Sequence, residues 1–485
     1  MPTYTFPNRD AFLGREAELD RLERWWEGAR EGLPVLVHGR RRTGKSWLLR
    51  RFAHGKDAQI LTCDTRAEGD QLAHLAGALE GSLGFRAQAG DVRTLLGVLL
   101  RQAARSPRLV IIDEYPLLAP VSGGAESLTA VAVEVARSQA GVRLALCGSQ
   151  VADLEALVAE GAPLQGRVES LRLSPHRFAE ARRFLASLVP ADQVVRYAVA
   201  GGMPLYLTRV GRPWSLRTVL CEEVLNPLAP LFDEVRSVLA RELGGTLALH
   251  FSLLAALALA PSLEWTDLVN RSGVEESTAS RYVRLLEDAR IVEAANPALA
   301  PPAARRRRYR IADRFVRFWF RFVFPYQAEL EAGLRPENHY DRTVAPALAG
   351  HVTDAFEEIC RDWVRARFPE IAGAVAPWWG LARHDLRRRG LRSGEEIDVV
   401  GTRGSAVTVV GACHWQSRPM GGEVLAGLVE HGLPALRQVG AGVEGARIVL
   451  FSRGGFEADL VGTASRRGGV DLVDLEALLG GGEPG

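Results

Sequence analysis

Gly39-Arg40-Arg41-Arg42-Thr43-Gly44-Lys45-Ser46 is the stretch on which the reading of this 485-residue chain turns. It follows an apolar run, Val35–His38, and opens a segment with helical spacing, so it reads as the turn from a buried strand into a helix. Glycines at both ends let the backbone N–H groups of residues 39–46 curl around an anion, and a helix N-terminus adds partial positive charge. The lysine after the second glycine sets a point charge at the β- and γ-phosphates of a nucleotide, and the serine after it offers Mg2+ a hydroxyl. The chain holds only two lysines, Lys45 and Lys56, so composition does not explain a lysine in this place.

Working outward, five short apolar runs (LPVLVHG, AQILTCD, RLVIIDE, VRLALCGS and ESLRLSP) alternate with amphipathic segments between 34 and 175. That alternation predicts a mostly parallel sheet flanked by helices, the P-loop NTPase type of α/β domain, with ATP and Mg2+ as its ligands. The third run ends in Asp113-Glu114. There Asp113 is expected to hold Mg2+ through water, and Glu114 to polarise the attacking water. The fourth run ends at Ser149, placed to contact the γ-phosphate or orient that water, or else an ordinary strand-end turn. Arg167, in PLQGR, is a candidate arginine finger, with a solvated surface arginine as the plain alternative.

Composition narrows the rest. Sixty basic residues against fifty-eight acidic ones leave a net charge of +2, so any nucleic-acid contact has to be local. The five cysteines, Cys63, Cys147, Cys221, Cys360 and Cys413, form no Cys-x-x-Cys pair, which argues against a disulfide framework or zinc finger and fits a reducing compartment. The N-terminus lacks the basic start and apolar run of a signal peptide. The longest apolar stretch, 246–263, carries His250 and Pro261 and reads as a core helix, not a membrane span. A cytoplasmic chain without a membrane partner is expected; homo-oligomerisation is left open.

Four domains are expected: a P-loop core at 1–175, a helical lid at 176–244, a winged helix at 245–330 and a second α/β domain at 331–485. Within 245–330, the segments before and after Gly273 read as helix, turn and helix. Thr278, Ser280, Arg281 and Arg284 fall on the exposed side of the second helix, suitable chemistry for double-stranded DNA. Arg305 to Arg308 fall in or beside the wing, where they would meet phosphates. A lid or spacer role, with no DNA contact, stays open beside this. The stripe Phe315, Phe318, Trp319, Phe322 and Phe324 reads as core.

The succession FLGRE, GRRRTGKS, LVIIDEYP, LCGSQ, PLQGR and GGMPLYL, then the winged helix and RYRIADRFVRFWFRFV, resembles the AAA+-related P-loop ATPases of archaea and bacteria that end in a restriction-endonuclease-like domain of unknown function. The resemblance implies that Phe12, Gly14 and Arg15 lie near the adenine, and that Gly202 and Pro204 let the lid sense the nucleotide. It also implies a nuclease-like core with a helix glutamate, a strand-end aspartate and a Glu-x-Lys on the next strand. Glu357 and Asp398 fit the first two places, whereas Ala412 and His414 stand where glutamate and lysine belong. The loss of one carboxylate and the lysine marks Glu357, Asp398 and His414 as a vestigial site. The arginine-rich loop at 383–389 is either a phosphate-binding segment or a solvated charge run. The leading functional reading is an ATP-hydrolysing, DNA-associated machine or switch. The alternatives are a nucleotide-dependent regulator of protein partners and, disfavoured, an ATP-dependent nuclease.

Overall fold

The computed structural model describes residues 12–28, 33–83, 94, 108–118, 142–149, 154–155, 158–161, 164–244, 247–300, 307–382, 384–388 and 393–480. The chain gathers into two compact units. The first holds 1–184, 202–205 and 240–244; the second holds 185–201, 206–239 and 245–485. Residues 176–244 are thus shared between them.

In the first unit, the five apolar runs form one parallel sheet: β1 (Val35–His38), β2 (Ala58–Thr62), β3 (Arg108–Asp113), β4 (Val142–Gly148) and β5 (Glu169–Arg172), in the order β2-β3-β4-β1-β5. Continuous apolar strands are what a sheet covered on both faces requires. Helix α1 (Glu16–Glu27) brings Leu22 and Trp25, and α2 (Lys45–Ala53) brings Leu48 and Phe52, against Val37 and Ile111 of the sheet. Ligands of such open sheets bind beyond the carboxyl ends of the strands, where the strand order switches. The loop 39–44 follows β1, Asp113 ends β3, and Ser149 follows β4.

Helix α3 (Glu68–Leu83) follows β2, and α4 (Glu234–Leu243) precedes a winged helix that lies in the second unit. Its elements are α5 (Ala248–Ala258), β6 (Leu263–Glu264), α6 (Trp265–Ser272), α7 (Glu276–Asp288), β7 (Val292–Ala295) and β8 (Arg308–Ile311), with an antiparallel sheet ordered β6-β8-β7. The apolar stretch after 246 becomes α5, and its His250 is buried against Tyr282 with ring centroids 4.7 Å apart. Further on, α8 (Arg314–Phe322) starts where the Asp313 carboxylate accepts the N–H groups of Phe315 and Val316, an N-cap. Four of the five aromatic residues expected as core (Phe315, Phe318, Trp319 and Phe322) are fully buried, and the indole N–H of Trp319 donates to the Phe232 carbonyl at 2.6 Å.

The C-terminal sheet is mixed, in the order β13-β12-β11-β10-β9: β9 (Ala374–Leu381), β10 (Gly394–Arg403) and β11 (Ala406–His414) are antiparallel, while β12 (Arg447–Ser452) and β13 (Val470–Asp474) run parallel to β11. The long helix α9 (Ala345–Arg367) packs on β9, β10 and β11. Edge strand β9 is partnered on its outer side at one point, where the Ala298 N–H donates to the Pro377 carbonyl at 2.8 Å.

Between α8 and α9 lies a buried ionic cluster. Arg317 meets Asp354 at 2.5 Å, Arg314 meets Asp354 at 3.4 Å and Glu358 at 2.8 Å, and Arg310 meets Glu358 at 3.4 Å. Burial alone would raise the Asp354 pKa, but the guanidinium groups of Arg314 and Arg317 outweigh it and hold the carboxyl at about 2. Beside them His351 is kept neutral, its pKa driven down to about 3 by burial and by Arg317.

Removing one member of such a cluster leaves uncompensated buried charge, so Asp354→Asn should destabilise the second unit by about 3–5 kcal/mol in denaturant titrations near neutral pH. Because the folded pKa of Asp354 is depressed, its contribution is present above the unfolded value near pH 4. It is lost as pH falls through about 2. The gap between wild type and variant should therefore close over that window, and a gap independent of pH would contradict the assignment.

Candidate functional site

The loop 39–44 is held from within. Gly39 has φ 151°, and a Cβ there would stand 2.2 Å from the Leu173 carbonyl oxygen, so only glycine fits. Thr43 donates its hydroxyl to the Arg40 carbonyl at 2.8 Å. The Lys45 ammonium donates to the carbonyls of Gly39 and Arg40 at 2.7 and 2.9 Å. It is buried, which lowers its pKa against the opposing pull of Cys147, Glu114, Asp113 and Glu242.

The structure gathers the residues expected at the strand ends. The Ser46 hydroxyl donates to Asp113 Oδ1 at 3.0 Å, and that oxygen also accepts the Glu114 N–H at 3.1 Å. Two hard oxygen donors meeting at the start of α2 are a suitable set for Mg2+. The Glu114 carboxylate accepts from the Ser149 hydroxyl at 2.9 and 3.3 Å and faces the Arg41 guanidinium at 3.4 Å. Glu114 itself has φ 54°, a left-handed conformation rare for a non-glycine residue and found where a surrounding site holds it.

Arg15 reaches this loop too, donating to the Thr43 carbonyl at 3.3 Å and the Ser174 carbonyl at 2.6 Å. Pro204 lies against Gly44, its Cγ 3.7 Å from where a Cβ would be. Gly202 is required by a close approach, since a Cβ there would meet the His176 carbonyl oxygen at 1.9 Å while His176 N–H donates to the Gly202 carbonyl at 2.8 Å. Arg42 takes a left-handed φ of 71° in the loop, and Arg167 is exposed in the turn closed by its N–H on the Leu164 carbonyl at 3.0 Å. No motif or spacing marks Glu242, whose carboxylate accepts the Arg41 N–H at 3.2 Å.

In the winged helix, Ser280, Arg281 and Arg284 are exposed on α7, and Thr278 is half-buried. The N-terminus of α7 is already capped: the Glu275 carboxylate accepts the N–H groups of Ser277 and Thr278 at 3.0 and 3.1 Å. Hydrogen bonds from Ser277 and Thr278 lower its pKa to about 2, so it is ionised at neutral pH. Of the arginine run, 305 and 306 lie outside the described residues. Arg308 is turned onto the C-terminal sheet instead of outward, with Glu396 at 2.7 Å and the Trp379 ring 4.8 Å away.

Glu357 and Asp398 come together beneath α9. Asp398 stands inside β10, not at a strand end, at a bulge where 398 and 399 together face Pro377 of β9. Its carboxylate accepts the Cys413 N–H at 2.7 Å. Burial and the facing Asp398 push the Glu357 carboxyl well above the usual range, and burial likewise raises Asp398. The cation between them is Arg361, donating to the Asp398 carbonyl at 2.8 Å and lying 3.6 Å from Glu357. Among the described residues no group of three or more histidine, cysteine or acidic side chains is placed to hold a metal ion. Of the loop at 383–389, residues 383 and 389 lie outside the described residues, while 384–388 form a short helix.

A parallel sheet with a glycine-bounded loop between its first strand and a helix, and acidic residues at the end of its third strand, defines a P-loop NTPase fold, here joined to a winged helix and a mixed α/β sheet. Residues 29–157 match the AAA domain family, and residues 319–422 match a family described as archaeal and bacterial proteins of unknown function. The chain therefore carries an AAA-type region followed by a region similar to that second family. An uncharacterized protein of Methanocaldococcus jannaschii is 25% identical over 401 residues, 80% of this chain and 84% of that one. Among solved structures, the Walker-type ATPase of Pyrococcus abyssi is similar with a TM-score of 0.49 and 18% identity, covering 66% of this chain and 98% of its own. The ORC2 protein of Aeropyrum pernix, in ADPNP–ADP complexes, follows at 0.43 and 14%, covering 68% and 97%. No helix among the described residues is long and apolar enough to cross a membrane.

Proposed function

We propose that the chain binds Mg·ATP at 39–46 and hydrolyses it to ADP and phosphate. The observation that carries this is the pair of contacts Ser46–Asp113 and Ser149–Glu114, which place an oxygen pair and an anchored carboxylate beside the loop. Ser46 and Asp113 would hold Mg2+, which when bound supplies charge neutralisation at the β- and γ-phosphates. Lys45 exchanges its two loop carbonyls for phosphate oxygens. Glu114, oriented by Ser149, takes a proton from the attacking water. Arg15 and Pro204, both against the loop, fit residues that position the nucleotide, and the exposed Arg167 fits an arginine offered to a neighbouring copy. By titration calorimetry, Lys45→Ala should abolish ATP binding, whereas Glu114→Gln should bind ATP but stall hydrolysis. ATP at about 100 times its Kd should stabilise wild type by about 2.7 kcal/mol. Absence of ATP binding by the wild type would sink the reading.

The ATPase cycle is proposed to act on DNA held by α7. Exposed Ser280, Arg281 and Arg284 support this, with Thr278 beside them. Replacing Arg281 and Arg284 with alanine should weaken duplex binding and flatten the plot of log K against log salt by about 0.9 per lost phosphate contact. Unchanged affinity and slope would favour the second reading, regulation of a protein partner. That reading is supported by the ionised Glu275 where a phosphate would otherwise dock and by the inward turn of Arg308.

The C-terminal sheet is proposed to have no nuclease activity, because Ala412 supplies no ligand and the Arg361 guanidinium stands 3.6 Å from Glu357, beside the Asp398 carbonyl. Plasmid and single-stranded DNA should survive incubation with Mg2+ or Mn2+, with or without ATP. Cleavage that disappears in Asp398→Ala would reverse this assignment.

A further inference from the structure

Glu242 lies in the last turn of α4 (Glu234–Leu243), yet its side chain, 6% exposed, is buried in the phosphate loop. One carboxylate oxygen accepts the Arg41 backbone N–H at 3.2 Å. The other lies 3.6 Å from the Arg40 guanidinium and, although buried, has no hydrogen-bond partner among the described residues. A loop N–H and a loop arginine are the donors a phosphate oxygen would seek. A carboxylate presents the same kind of acceptor, an anionic oxygen, to the same donors.

We propose that Glu242 is the resident anion of the phosphate loop: it occupies loop donors when no nucleotide is bound and is expelled by the phosphates of an incoming nucleoside triphosphate. This rests on the reading of 39–46 as the nucleotide site. Like charge prevents carboxylate and phosphates from sharing the donors, so one must leave. The contact is also built to be given up. A buried carboxylate oxygen with an ion pair but no hydrogen bond is incompletely compensated, and a negative charge in the last turn of a helix opposes the helix dipole. Gly244, with φ 64°, ends the helix just beyond, in a conformation that turns the chain away without side-chain obstruction. Nucleotide binding then unfastens the end of α4 from the loop, making Glu242 the residue that reports loop occupancy to the rest of the helix.

Occupation of the loop by Glu242 lowers apparent nucleotide affinity by the fraction of time the loop is closed to ligand; a loop filled nine-tenths of the time binds about tenfold more weakly. The test is calorimetric titration of ATP, and separately of inorganic tripolyphosphate, into wild type, Glu242→Gln, Glu242→Ala and Lys45→Ala, each checked for a cooperative thermal transition. Both Glu242 variants should bind either ligand about tenfold more tightly than wild type. Unchanged or weakened binding in a folded Glu242 variant, with wild-type binding still lost in Lys45→Ala, overturns the resident-anion role while the nucleotide site stands. Failure of wild type and Glu242→Gln alike to bind ATP removes the nucleotide reading and this role together.

Discussion

A loop that turns its N–H groups toward a ligand must find partners elsewhere for its carbonyls, because buried backbone groups left unpaired are expensive. Here the carbonyl of Arg40 is satisfied by both the Thr43 hydroxyl and the Lys45 ammonium, and that of Gly39 by Lys45. The side chains that give the loop its chemistry are thus also what holds its shape. From this follows the arrangement around it. Leu173 crosses so closely that Gly39 can carry no side chain, and Arg15 ties the Thr43 carbonyl to Ser174. With the loop fixed, Asp113 and Glu114 arrive on β3 with their carboxylates already engaged by Ser46 and Ser149.

The second unit is organised around a different constraint, the burial of charge. The arginines of RYRIADRFVRF read as a basic, exposed segment if taken singly. Three of them, Arg310, Arg314 and Arg317, meet Asp354 and Glu358 of α9 instead. Such clusters contribute less net stability than apolar packing would, but they penalise any register in which a partner is missing. The aromatic face of α8 supplies the packing, and the ionic face sets which helix it packs on.

This division explains what could be read in advance. All five strands of the first unit were legible because a sheet buried on both faces is written as uninterrupted apolar runs. Strand β9 was not, since AVAPWWGL contains a proline and a glycine that read as a break; at an edge strand beside a bulge, Pro377 needs no N–H partner. Strand β13, VDLVD, is short, and two of its five residues are acidic. Within the site, the positions of Ser46, Asp113, Glu114 and Ser149 were legible from spacing, because Ser46 opens the helix after the loop and the other three end or follow a strand at one edge. Glu242 was not, being about two hundred residues from Arg41 along the chain and on a helix whose pattern gives no reason to place it there. Arg361, one turn after Glu357, was open to discovery by helical spacing, but its meeting with Asp398 required the fold.

The bond from Ala298 to Pro377 has a consequence for how separable the parts of this chain are. An outermost strand with free N–H and carbonyl groups invites pairing with any other extended chain. The base of the wing covers that rim, and Ala298 and Leu299 join the same apolar core as Trp378 and Ile397. Recombination that carried the C-terminal sheet to another protein without its winged helix would expose both a bare rim and a gap in the core. The two therefore form one packing unit, and a chain cut between them gains a tendency to self-associate.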